Sequence, residues 1–419
     1  MKTTPLKGTR DYLPREVAVR DYVQKKILEV YRASGFERIA TPMLEDMENL
    51  DKSDGGDNLN LIFKILKRGE KLEKALAAGD EKELSDMGLR YDLTLPLSRY
   101  YAANREALPC PCKVIQTDRV FRAERPQKGR MREFVQCDID ILGDASTNAE
   151  IELIDVTARA LQAVSFRDFA IHINDRRLLR GMLESFGFAR ETLDSVCISF
   201  DKMDKIGADG VAAELTEKEM PAAAVAALSA FLAQGDFTLA HVTDLLRAEF
   251  RPLAADLARV MDAVRAVAED GYDIVYTPSL VRGQGYYTGM VFEVVCPAFS
   301  GAVGGGGRYD NMVGKFLGEQ VPAVGFSIGF ERITGILLEQ GFAVPDAQEK
   351  LALLYGAGED FAAVLKKAAA LRALYAVTVL PAAKKAGKQL SRLEEDGFAG
   401  ACFSEKYPEL KLFAAHGGQ

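Results

Sequence analysis

The segment Asp118-Arg-Val-Phe-Arg-Ala-Glu-Arg-Pro-Gln-Lys-Gly-Arg-Met-Arg-Glu-Phe-Val-Gln-Cys-Asp-Ile-Asp-Ile-Leu-Gly143 carries the clearest structural signal in the chain. Two apolar, strand-like runs flank a short loop at 126–129, a pattern that predicts a β-hairpin. Basic residues crowd this hairpin, namely Arg119, Arg122, Arg125, Lys128, Arg130 and Arg132. So much like charge repels itself unless an anion neutralises it, and planar guanidinium groups suit phosphate oxygens. The segment therefore predicts a binding site for a polyphosphate.

Hydrogen-bond acceptors follow the basic loop. Gln136, Asp138 and Asp140 carry amide and carboxylate oxygens that can hold a cationic or hydrogen-bond-donating small molecule. A polyphosphate on one side of the hairpin and a polar metabolite on the other predict a reaction between the two.

Composition indicates an ordinary soluble globular protein. The 419 residues suffice for about two or three domains, with 48% hydrophobic and 27% charged residues. No run of about 18 apolar residues occurs, and the start lacks the apolar core of a signal peptide. Six scattered cysteines and three histidines suggest neither a zinc site nor a disulfide framework, so we expect a reducing cytoplasm. The net charge of −8 disfavours indiscriminate nucleic-acid binding, so any RNA contact needs local basic patches.

Before the hairpin, the pattern predicts a helix over Pro14–Ser34 followed by a strand over Phe36–Leu44. The apolar stripe of this helix can serve a subunit interface or pack inside one chain. Residues 50–60 are rich in turn formers and predict a loop. The short apolar segment Leu89–Leu97 leads into a helix from about Pro96 to Ala107.

After the hairpin, we expect a helix over Asn148–Val164 and a strand over Phe169–Ile173. Residues 176–270 are rich in alanine and leucine and predict a helical module. Strand patterns resume at Asp273–Tyr276 and Met290–Val295.

A boundary is expected within Phe342–Glu349, where Pro345 and polar residues separate two patterns. Beyond it, strand and helix patterns alternate, which predicts a small α/β domain. The predicted elements are a strand Leu351–Tyr355, a helix Phe361–Leu374, a strand Val377–Leu380, a helix Ala382–Glu395 and a strand Ala399–Phe403.

Three segments resemble signature motifs of one family. Phe121–Phe134 resembles the second motif of class II aminoacyl-tRNA synthetases, in the form found in histidyl-tRNA synthetases. Leu280-Val-Arg-Gly-Gln-Gly-Tyr-Tyr-Thr-Gly289 resembles the histidine-specific motif of that family, and Gly325–Ile333 resembles motif 3. The helix and strand over residues 14–44 resemble motif 1, which forms the homodimer interface in the family. These motifs occur in the family's order, so the chain is similar to histidyl-tRNA synthetases.

The resemblance implies an α+β catalytic domain with a mainly antiparallel sheet, formed by residues 1–175 and 271–342. Residues 176–270 would be a helical insertion, and residues 349–419 a shortened α/β domain similar to the anticodon-binding domain. The chain ends without the closing helix usual in the family.

The implied activity is that of a histidine–tRNA ligase. Such an enzyme activates L-histidine with ATP to histidyl-adenylate and transfers it to the 3′ end of tRNA(His), with Mg²⁺ assisting and a homodimer as the expected assembly. The alternative is the synthetase-like regulatory subunit of ATP phosphoribosyltransferase, which binds histidine as a signal. That subunit generally lacks the anticodon-binding domain and some of the residues that bind ATP.

By resemblance, Arg122 and Arg282 are the catalytic residues and lie on opposite sides of the α-phosphate of ATP. Negative charge gathers on the α-phosphoryl oxygens during the reaction, and fixed cations there favour the transition state. Arg332, at the start of a predicted helix, would bind the γ-phosphate. The remaining expected ATP-binding residues are Glu124 for the adenine amino group, Phe134 for the adenine face, and Arg130 and Arg132 for the outer phosphates or the acceptor end of tRNA.

Arg122 and Glu124 also have a simpler interpretation. They stand two residues apart on a predicted strand, so both face one side and can simply pair with each other.

The expected histidine-binding set comprises Asp92, Leu93, Thr94, Gln136, Asp140, Tyr286, Tyr287 and Tyr309. Asp92 and Thr94 would hold the α-ammonium group, and Gln136 would help to orient the amino acid. Asp140 with Tyr287 would contact the imidazole nitrogens, beside Tyr286. Taken without the motif, two adjacent tyrosines are ordinary strand residues.

The glycine-rich run Ala302–Asp310 lacks the Lys-Ser/Thr of a phosphate loop. It matches the second histidine-specific motif, and its glycines would let the backbone pass close under a ligand. Gln284 and Gly285 depart from the Leu-Asp common in the family.

Contacts with tRNA are expected from Lys128 in the hairpin and from Lys384, Lys388 and Arg392, which repeat every four residues on a predicted helix. A solvated helical face is the alternative for the last three.

Overall fold

The computed structural model describes residues 1–51, 60–126, 129–269, 271–281, 285–345 and 347–413. The chain divides into two compact units, Met1–Phe342 and Ala343–Gln419. Each unit is described by itself below.

The first unit contains strands in two sheets. Their bounds are β1 Glu37–Arg38, β2 Leu44–Asp46, β3 Lys64–Leu66, β4 Ser85–Leu89, β5 Cys112–Phe121, β6 Glu133–Leu142, β7 Ala170–Asp175, β8 Asp273–Tyr276, β9 Met290–Cys296, β10 Phe299–Arg308 and β11 Ala323–Gly329. An eight-stranded sheet has the order β1-β5-β6-β11-β10-β9-β7-β8, and β2-β4-β3 form a smaller one. Only the pairs β1·β5 and β7·β8 of the large sheet are parallel. The predicted α+β class with a mainly antiparallel sheet is confirmed.

Helices cover the sheet and fill the predicted helical region. Their bounds are α1 Pro14–Ala33, α2 Met47–Asp51, α3 Glu70–Ala78, α4 Thr94–Asn104, α5 Asn148–Ala163, α6 Arg176–Phe186, α7 Leu193–Phe200, α8 Met203–Glu217, α9 Ala222–Gln234, α10 Leu239–Leu245, α11 Arg251–Ala268, α12 Gly314–Leu317 and α13 Phe330–Glu339. The helices α6–α11 occupy the predicted helical region and belong to the first unit.

Helix α1 begins where Pro14 fits the first turn and ends before Gly35, whose φ of +82° suits glycine. Val19, Val23 and Ile27 recur every four residues and are buried on one face. This face packs against α5 of the same chain. The apolar stripe is therefore used within the subunit.

Three predictions before the hairpin were wrong in detail. The strand expected over Phe36–Leu44 is instead the short β1, which pairs with β5, and β2, which belongs to the small sheet. Pro42 lies between them and offers no N–H for pairing, so the strand cannot continue through it. A loop was expected over residues 50–60, but Leu50 and Asp51 form the end of helix α2. Residues 52–59 lie outside the described part of the chain. Helix α4 starts at Thr94, two residues earlier than expected.

The hairpin is present as β5 and β6, but its loop is longer than predicted. Arg122 and Glu124 lie in that loop, so their placement on a strand was wrong. The backbone N–H of Arg122 donates to the carbonyl of Arg132 (2.9 Å), and that of Ala123 donates to Leu61 (2.7 Å). Because the chain bonds to a different segment here, the regular pairing of β5 with β6 ends at Phe121.

The second unit is a small α/β fold. Its elements are β12 Lys350–Tyr355, α14 Phe361–Leu371, β13 Ala376–Pro381, α15 Ala386–Glu395, β14 Gly400–Phe403 and β15 Leu410–Leu412. The sheet order is β13-β12-β14-β15, with β15 antiparallel to β14 and the other pairs parallel. The alternating pattern predicted β12–β14 and both helices, but not β15, which has three exposed residues.

Helix α15 begins four residues later than expected. The side chain of Gln389 accepts from the N–H of Ala383 (2.8 Å) and donates to the carbonyl of Pro381 (2.9 Å), which holds the preceding turn. Lys384 therefore lies outside the helix and does not share a helical face with Lys388 and Arg392, contrary to the prediction. All three side chains are exposed.

None of the helices in the described ranges combines the length and the apolar character that crossing a membrane requires.

Candidate active site

The candidate site lies on one face of the large sheet, where β6 and β11 run side by side. Gln136, Asp138 and Asp140 of β6 are paired with Gly329, Ser327 and Gly325 of β11, respectively. Directly paired residues of antiparallel strands point to the same face. The small residues of β11 leave room for the longer acceptor side chains of β6. A methyl group at Gly325 would overlap Oδ1 of Asp140, so this position requires glycine.

Asp140 accepts a short hydrogen bond inside the site. The hydroxyl of Tyr309 donates to its Oδ1 at 2.6 Å, and both residues are almost fully buried. Burial raises the pKa of Asp140 to about 7, although the hydrogen bond from Tyr309 opposes this shift. Burial and the neighbouring Asp140 carboxylate raise the pKa of Tyr309, so its proton stays in place to donate.

Aromatic side chains surround this pair. The ring centroid of Tyr286 lies 6.1 Å from that of Tyr309 in an edge-to-face arrangement and 4.9 Å from that of Tyr287. A Cβ atom at Gly307 of β10 would come within 2.8 Å of the Tyr287 ring. The glycine-rich strand therefore lets this tyrosine lie directly on the sheet.

Asp92 is at the N-terminal end of α4 and is buried. Its Oδ1 accepts from the N–H of Leu95 at 3.2 Å, whereas its Oδ2 has no partner among the described residues. Burial raises the pKa of Asp92 to about 6, while the N–H of Leu95 and the charge of Arg122 lower it. Burial and the charges of Tyr287 and Asp92 raise the pKa of Tyr286, whereas Thr94 lowers it, so this end of α4 adjoins the tyrosines. The carbonyl of Leu93 accepts from the Gln116 amide at 2.9 Å, which fixes the turn.

Arg122 lies between the acidic pocket and the hairpin loop. Its Nε donates to the carbonyl of Tyr91 at 2.9 Å, and its guanidinium lies 5.1 Å from the ring centroid of Phe134. It also acts electrostatically on Asp92 and Asp138. The structure thus brings Arg122, Phe134 and the carboxylates together from three separate segments.

The hairpin loop is held largely by Arg132. Its Nε donates to the carbonyl of Glu124 at 3.2 Å, and its backbone N–H donates to Gly8 at 2.7 Å. The exposed Arg130 lies 3.5 Å from the carboxylate of Glu124. Arg132 therefore ties the loop to the N-terminal segment, and Arg130 faces solvent.

Arg332 is in the first turn of α13, as predicted. Its guanidinium donates to the carbonyls of Ala302 and Gly129 and lies 5.3 Å from the ring centroid of Phe299. The neighbouring Glu331 accepts from both terminal nitrogens of Arg20. A cation at a helix N-terminus is favourable when an anion binds there as well.

Three sequence positions singled out above lie outside the described residues. These are Lys128, Arg282 and Gln284, whereas Gly285 is described and exposed. The convergence of Arg122 and Arg282 on one phosphate therefore stays a prediction.

Sequence reasoning missed several residues that shape the site. Ser327 lies opposite Asp138, and its position midway between Gly325 and Gly329 was the available signal. Arg308 contacts both oxygens of Glu150 at 2.6 Å and fixes the end of β10 just before Tyr309. Nothing in the local sequence pairs Arg308 with a residue so far away along the chain.

The described residues contain no group of three or more His, Cys, Asp or Glu side chains that could hold a metal ion. All six cysteines are free thiols.

A mainly antiparallel sheet that carries arginines of a hairpin loop beside a buried acceptor pocket defines a protein of the class II aminoacyl-tRNA synthetase type. Residues 8–333 match the histidyl-tRNA synthetase family. The chain is 45% identical over 354 residues to the histidine–tRNA ligase of Leifsonia xyli subsp. xyli, a match covering 82% of each protein. This chain belongs to the histidyl-tRNA synthetase family.

Two solved structures share the fold. The histidyl-tRNA synthetase of a Nostoc species has a TM-score of 0.78 and 28% identity, covering 96% of this chain and 91% of that one. A Bacillus halodurans protein described as an ATP phosphoribosyltransferase regulatory subunit/histidyl-tRNA synthetase has a TM-score of 0.76, covering 96% and 97%. At 20% identity, the latter shows the fold alone.

Proposed function

We propose that this chain is a histidine–tRNA ligase, which activates L-histidine with ATP and transfers the histidyl group to the 3′ end of tRNA(His). One observation carries the proposal. The buried acceptors Asp92 and Asp140 interact electrostatically with each other, tyrosines adjoin them, and Asp92 also interacts electrostatically with Arg122. A site for a cationic, hydrogen-bond-donating metabolite thus adjoins a cation suited to phosphate.

The imidazole of histidine would bind at Asp140. The Tyr309 hydroxyl donates to Oδ1 of Asp140 and holds the carboxylate in place. The other lone pairs of the carboxylate can accept an imidazole N–H. Tyr287 would contact the second imidazole nitrogen, and Tyr286 would form the neighbouring wall. A substrate without an N–H at this position leaves a buried acceptor unpaired, which makes the selection strong.

The α-ammonium group would bind at the N-terminal end of α4. The unpartnered Oδ2 of Asp92 supplies a charged acceptor, Thr94 a hydroxyl, and Gln136 an amide oxygen. This placement leaves the carboxylate of histidine to face Arg122.

ATP would lie along the hairpin. Phe134 would stack on adenine and Glu124 would accept from its amino group, in exchange for the contact that Glu124 now makes with Arg130. Arg122, with Arg282 opposite, would bind the α-phosphate, and Arg332 the γ-phosphate. The exposed Arg130 would reach the outer phosphates or the tRNA acceptor end, whereas the contacts of Arg132 favour a role in holding the loop.

The reaction needs no side-chain nucleophile. A histidine carboxylate oxygen attacks the α-phosphorus, the bond from that phosphorus to the bridging oxygen breaks, and pyrophosphate leaves. A ribose hydroxyl of the tRNA 3′ end then attacks the carbonyl carbon of the adenylate, and AMP leaves. Orientation of the two reactants and fixed positive charge at the α-phosphate provide the acceleration.

We propose that Mg²⁺ arrives with ATP and neutralises phosphate charge. The described residues contain no group of three or more His, Cys, Asp or Glu side chains that could hold the ion without the nucleotide.

The remaining proposals concern assembly and RNA. Residues 1–175 and 271–342 would form the catalytic domain, 176–270 its insertion and 349–419 an anticodon-binding-like domain. A homodimer is supported by the exposed apolar side chains Leu44, Leu66 and Met87 on the small sheet.

Contacts with tRNA would come from Lys128, Lys384, Lys388 and Arg392. The free thiols fit a cytoplasmic location.

Histidine-dependent exchange of pyrophosphate into ATP, followed by charging of tRNA with labelled histidine, tests the proposal. We expect both activities with the purified chain. Histidine binding without exchange would instead favour the regulatory-subunit alternative. Exchange with another amino acid in place of histidine would refute the assigned substrate.

A further inference from the structure

Asp138 is a buried carboxylate in the middle of the site that the proposed reaction does not use. It lies on β6 between Gln136 and Asp140, directly opposite Ser327 of β11, and is 6% exposed. Burial and the nearby Asp140 raise its pKa, so the ionised form is unfavourable here unless a cation or hydrogen-bond donors face it. A buried carboxylate of this kind needs a function that offsets its cost.

The side-chain amide of Gln136 is hydrogen-bonded to both Asp138 and Ser327. The Gln136 amide nitrogen donates to Oδ2 of Asp138 and to Oγ of Ser327, both at 3.3 Å. The other oxygen of the Asp138 carboxylate, Oδ1, is buried and has no hydrogen-bond partner among the described residues. In its ionised form Asp138 only accepts, and Gln136 then has to present its nitrogen to it.

This arrangement determines what Gln136 offers to a ligand. Its Oε1 is buried and has no partner among the described residues, as is true of Oδ2 of Asp92. Asp92 also acts electrostatically on Asp138, so the two carboxylates are near each other. Three buried acceptor atoms of the pocket thus have no partner among the described residues, namely Oδ2 of Asp92, Oε1 of Gln136 and Oδ1 of Asp138, which suits a primary ammonium group with three N–H donors.

We propose that Asp138 is a positioning residue: it turns the Gln136 amide so that its oxygen, with Asp92, accepts from the α-ammonium group of the amino-acid substrate. This inference rests on the proposed function and adds a reason for the orientation of Gln136. A bound ammonium group favours the ionised form of Asp138, which is the form that holds the amide.

Asp138→Asn tests the proposal because asparagine can donate to Gln136 Oε1 and let the amide turn its NH₂ towards the substrate. In histidine-dependent pyrophosphate exchange, we expect the KM for histidine to rise about tenfold or more, with kcat and the KM for ATP changed less than about threefold. Imidazolepropionate, which lacks the amino group, serves as a competitive inhibitor. Its Ki should be unchanged, whereas a general distortion of the pocket would weaken both ligands equally and overturn the proposal.

A double-variant cycle separates positioning from direct contact. If Asp138 acts through Gln136, then Asp138→Asn on a Gln136→Ala background adds less than about twofold to the KM for histidine. Effects that multiply would mean that Asp138 contacts the substrate itself, and would overturn the proposal.

Ser327→Ala provides an independent variant that removes one hydroxyl of the same hydrogen-bonded set. It should raise the KM for histidine by a smaller factor than Asp138→Asn and leave the Ki of imidazolepropionate unchanged. An unchanged KM for histidine in a folded Ser327→Ala protein counts against the proposal, even if Asp138→Asn fails to fold. Absence of histidine-dependent exchange in the unaltered chain would refute the proposed function instead, so the two failures are distinguishable.

Discussion

The hydroxyl of Tyr309 donates to Oδ1 of Asp140 across 169 positions of sequence, at 2.6 Å and out of contact with solvent. Asp140 comes from the arginine-rich hairpin and Tyr309 from the end of the glycine-rich strand. Their contact is possible because Gly325, which lies between them on β11, has no side chain. Three of the segments that the sequence singled out therefore meet at this hydrogen bond: two supply its partners, and the third leaves the space for it.

Tyr309→Phe keeps the ring and removes only the donor. We expect the KM for histidine to rise about tenfold, because loss of a buried hydrogen bond to a charged group costs about 1.5–3 kcal/mol. The KM for ATP should change little. Steady-state pyrophosphate exchange at varied histidine measures both values. Tyr100→Phe, in the adjoining hydrophobic cluster, is the matched control and should behave like the unaltered protein.

Asp140→Asn should make the ligand-free protein more stable at high pH. Burial raises the pKa of Asp140 to about 7, whereas the ordinary value of 3.8 applies to the unfolded chain. The folded state therefore binds the proton more tightly, and the free energy of unfolding falls as the pH rises from about 4 to about 7. Replacing the group should recover on the order of 2–4 kcal/mol at pH 8 and almost nothing near pH 4.

Thermal unfolding of Asp140→Asn and the unaltered protein between pH 4 and pH 8 measures this difference. Asp86→Asn, an exposed carboxylate of β4, is the control. If the unfolding temperatures of Asp140→Asn and the unaltered protein changed with pH in the same way, the prediction would be contradicted. The same variant should lose histidine-dependent exchange, so stability and activity should change in opposite directions.

Arg122→Ala should lower kcat for pyrophosphate exchange by about 100-fold or more, since removal of one fixed group that stabilises transition-state charge costs about 3–4 kcal/mol. Arg119→Ala is a close control because Arg119 lies on the same hairpin but is exposed and paired with Glu133. Its activity should stay within about twofold, as is usual for an exposed ion pair. Equal losses in the two variants would show that only the total charge of the hairpin matters.

Gly325→Ala should disable histidine binding while Gly335→Ala should not. A methyl group at Gly325 overlaps the Asp140 carboxylate, whereas a methyl group at Gly335 would meet no described atom within 4 Å apart from its chain neighbours and the backbone of its own helix. We expect a loss of about 1–3 kcal/mol in stability for the first change, from overpacking. The second should gain up to about 1 kcal/mol, because alanine favours a helix interior. Chemical denaturation and calorimetric titration with histidine measure these effects.

Arg20→Ala should destabilise the first unit and weaken ATP binding. Arg20 contacts both oxygens of Glu331, and both side chains are largely buried. Removing one partner leaves a buried charge, with an expected cost of about 2–4 kcal/mol. Glu331 also accepts from the N–H of Val135 and precedes Arg332, so the KM for ATP should rise. Lys26→Ala, at an exposed ion pair of the same helix, should have little effect on either quantity.

Local sequence predicted the elements whose signals repeat over many residues. Helix α1 has an apolar stripe with period near 3.6, and β5 and β6 are two apolar runs separated by turn residues. Failures occurred where contacts with distant segments override local preference. The strand expected after α1 is split between two sheets, and Arg122 leaves β5 because its neighbour Ala123 bonds to Leu61.

The motifs likewise identified candidate residues but not their arrangement. The glycines of β10 and β11 indicated that the backbone passes close to another group. Only the strand register shows that Gly307 lies under Tyr287 and Gly325 beside Asp140. Ser327 and Arg308 escaped notice because their partners, Asp138 and Glu150, are far away in the sequence.

By itself, the sequence determined the family, the fold class and the residue types of the site, because periodicity and motif chemistry are local properties of a chain. Tertiary structure alone decided which acceptors remain unpaired, since burial and hydrogen bonding depend on segments brought together only by folding. The orientation of the Gln136 amide is of this second kind. Asp138 of the same strand and Ser327 of the neighbouring strand both accept from its nitrogen, and the contribution of Ser327 cannot be read from the local sequence.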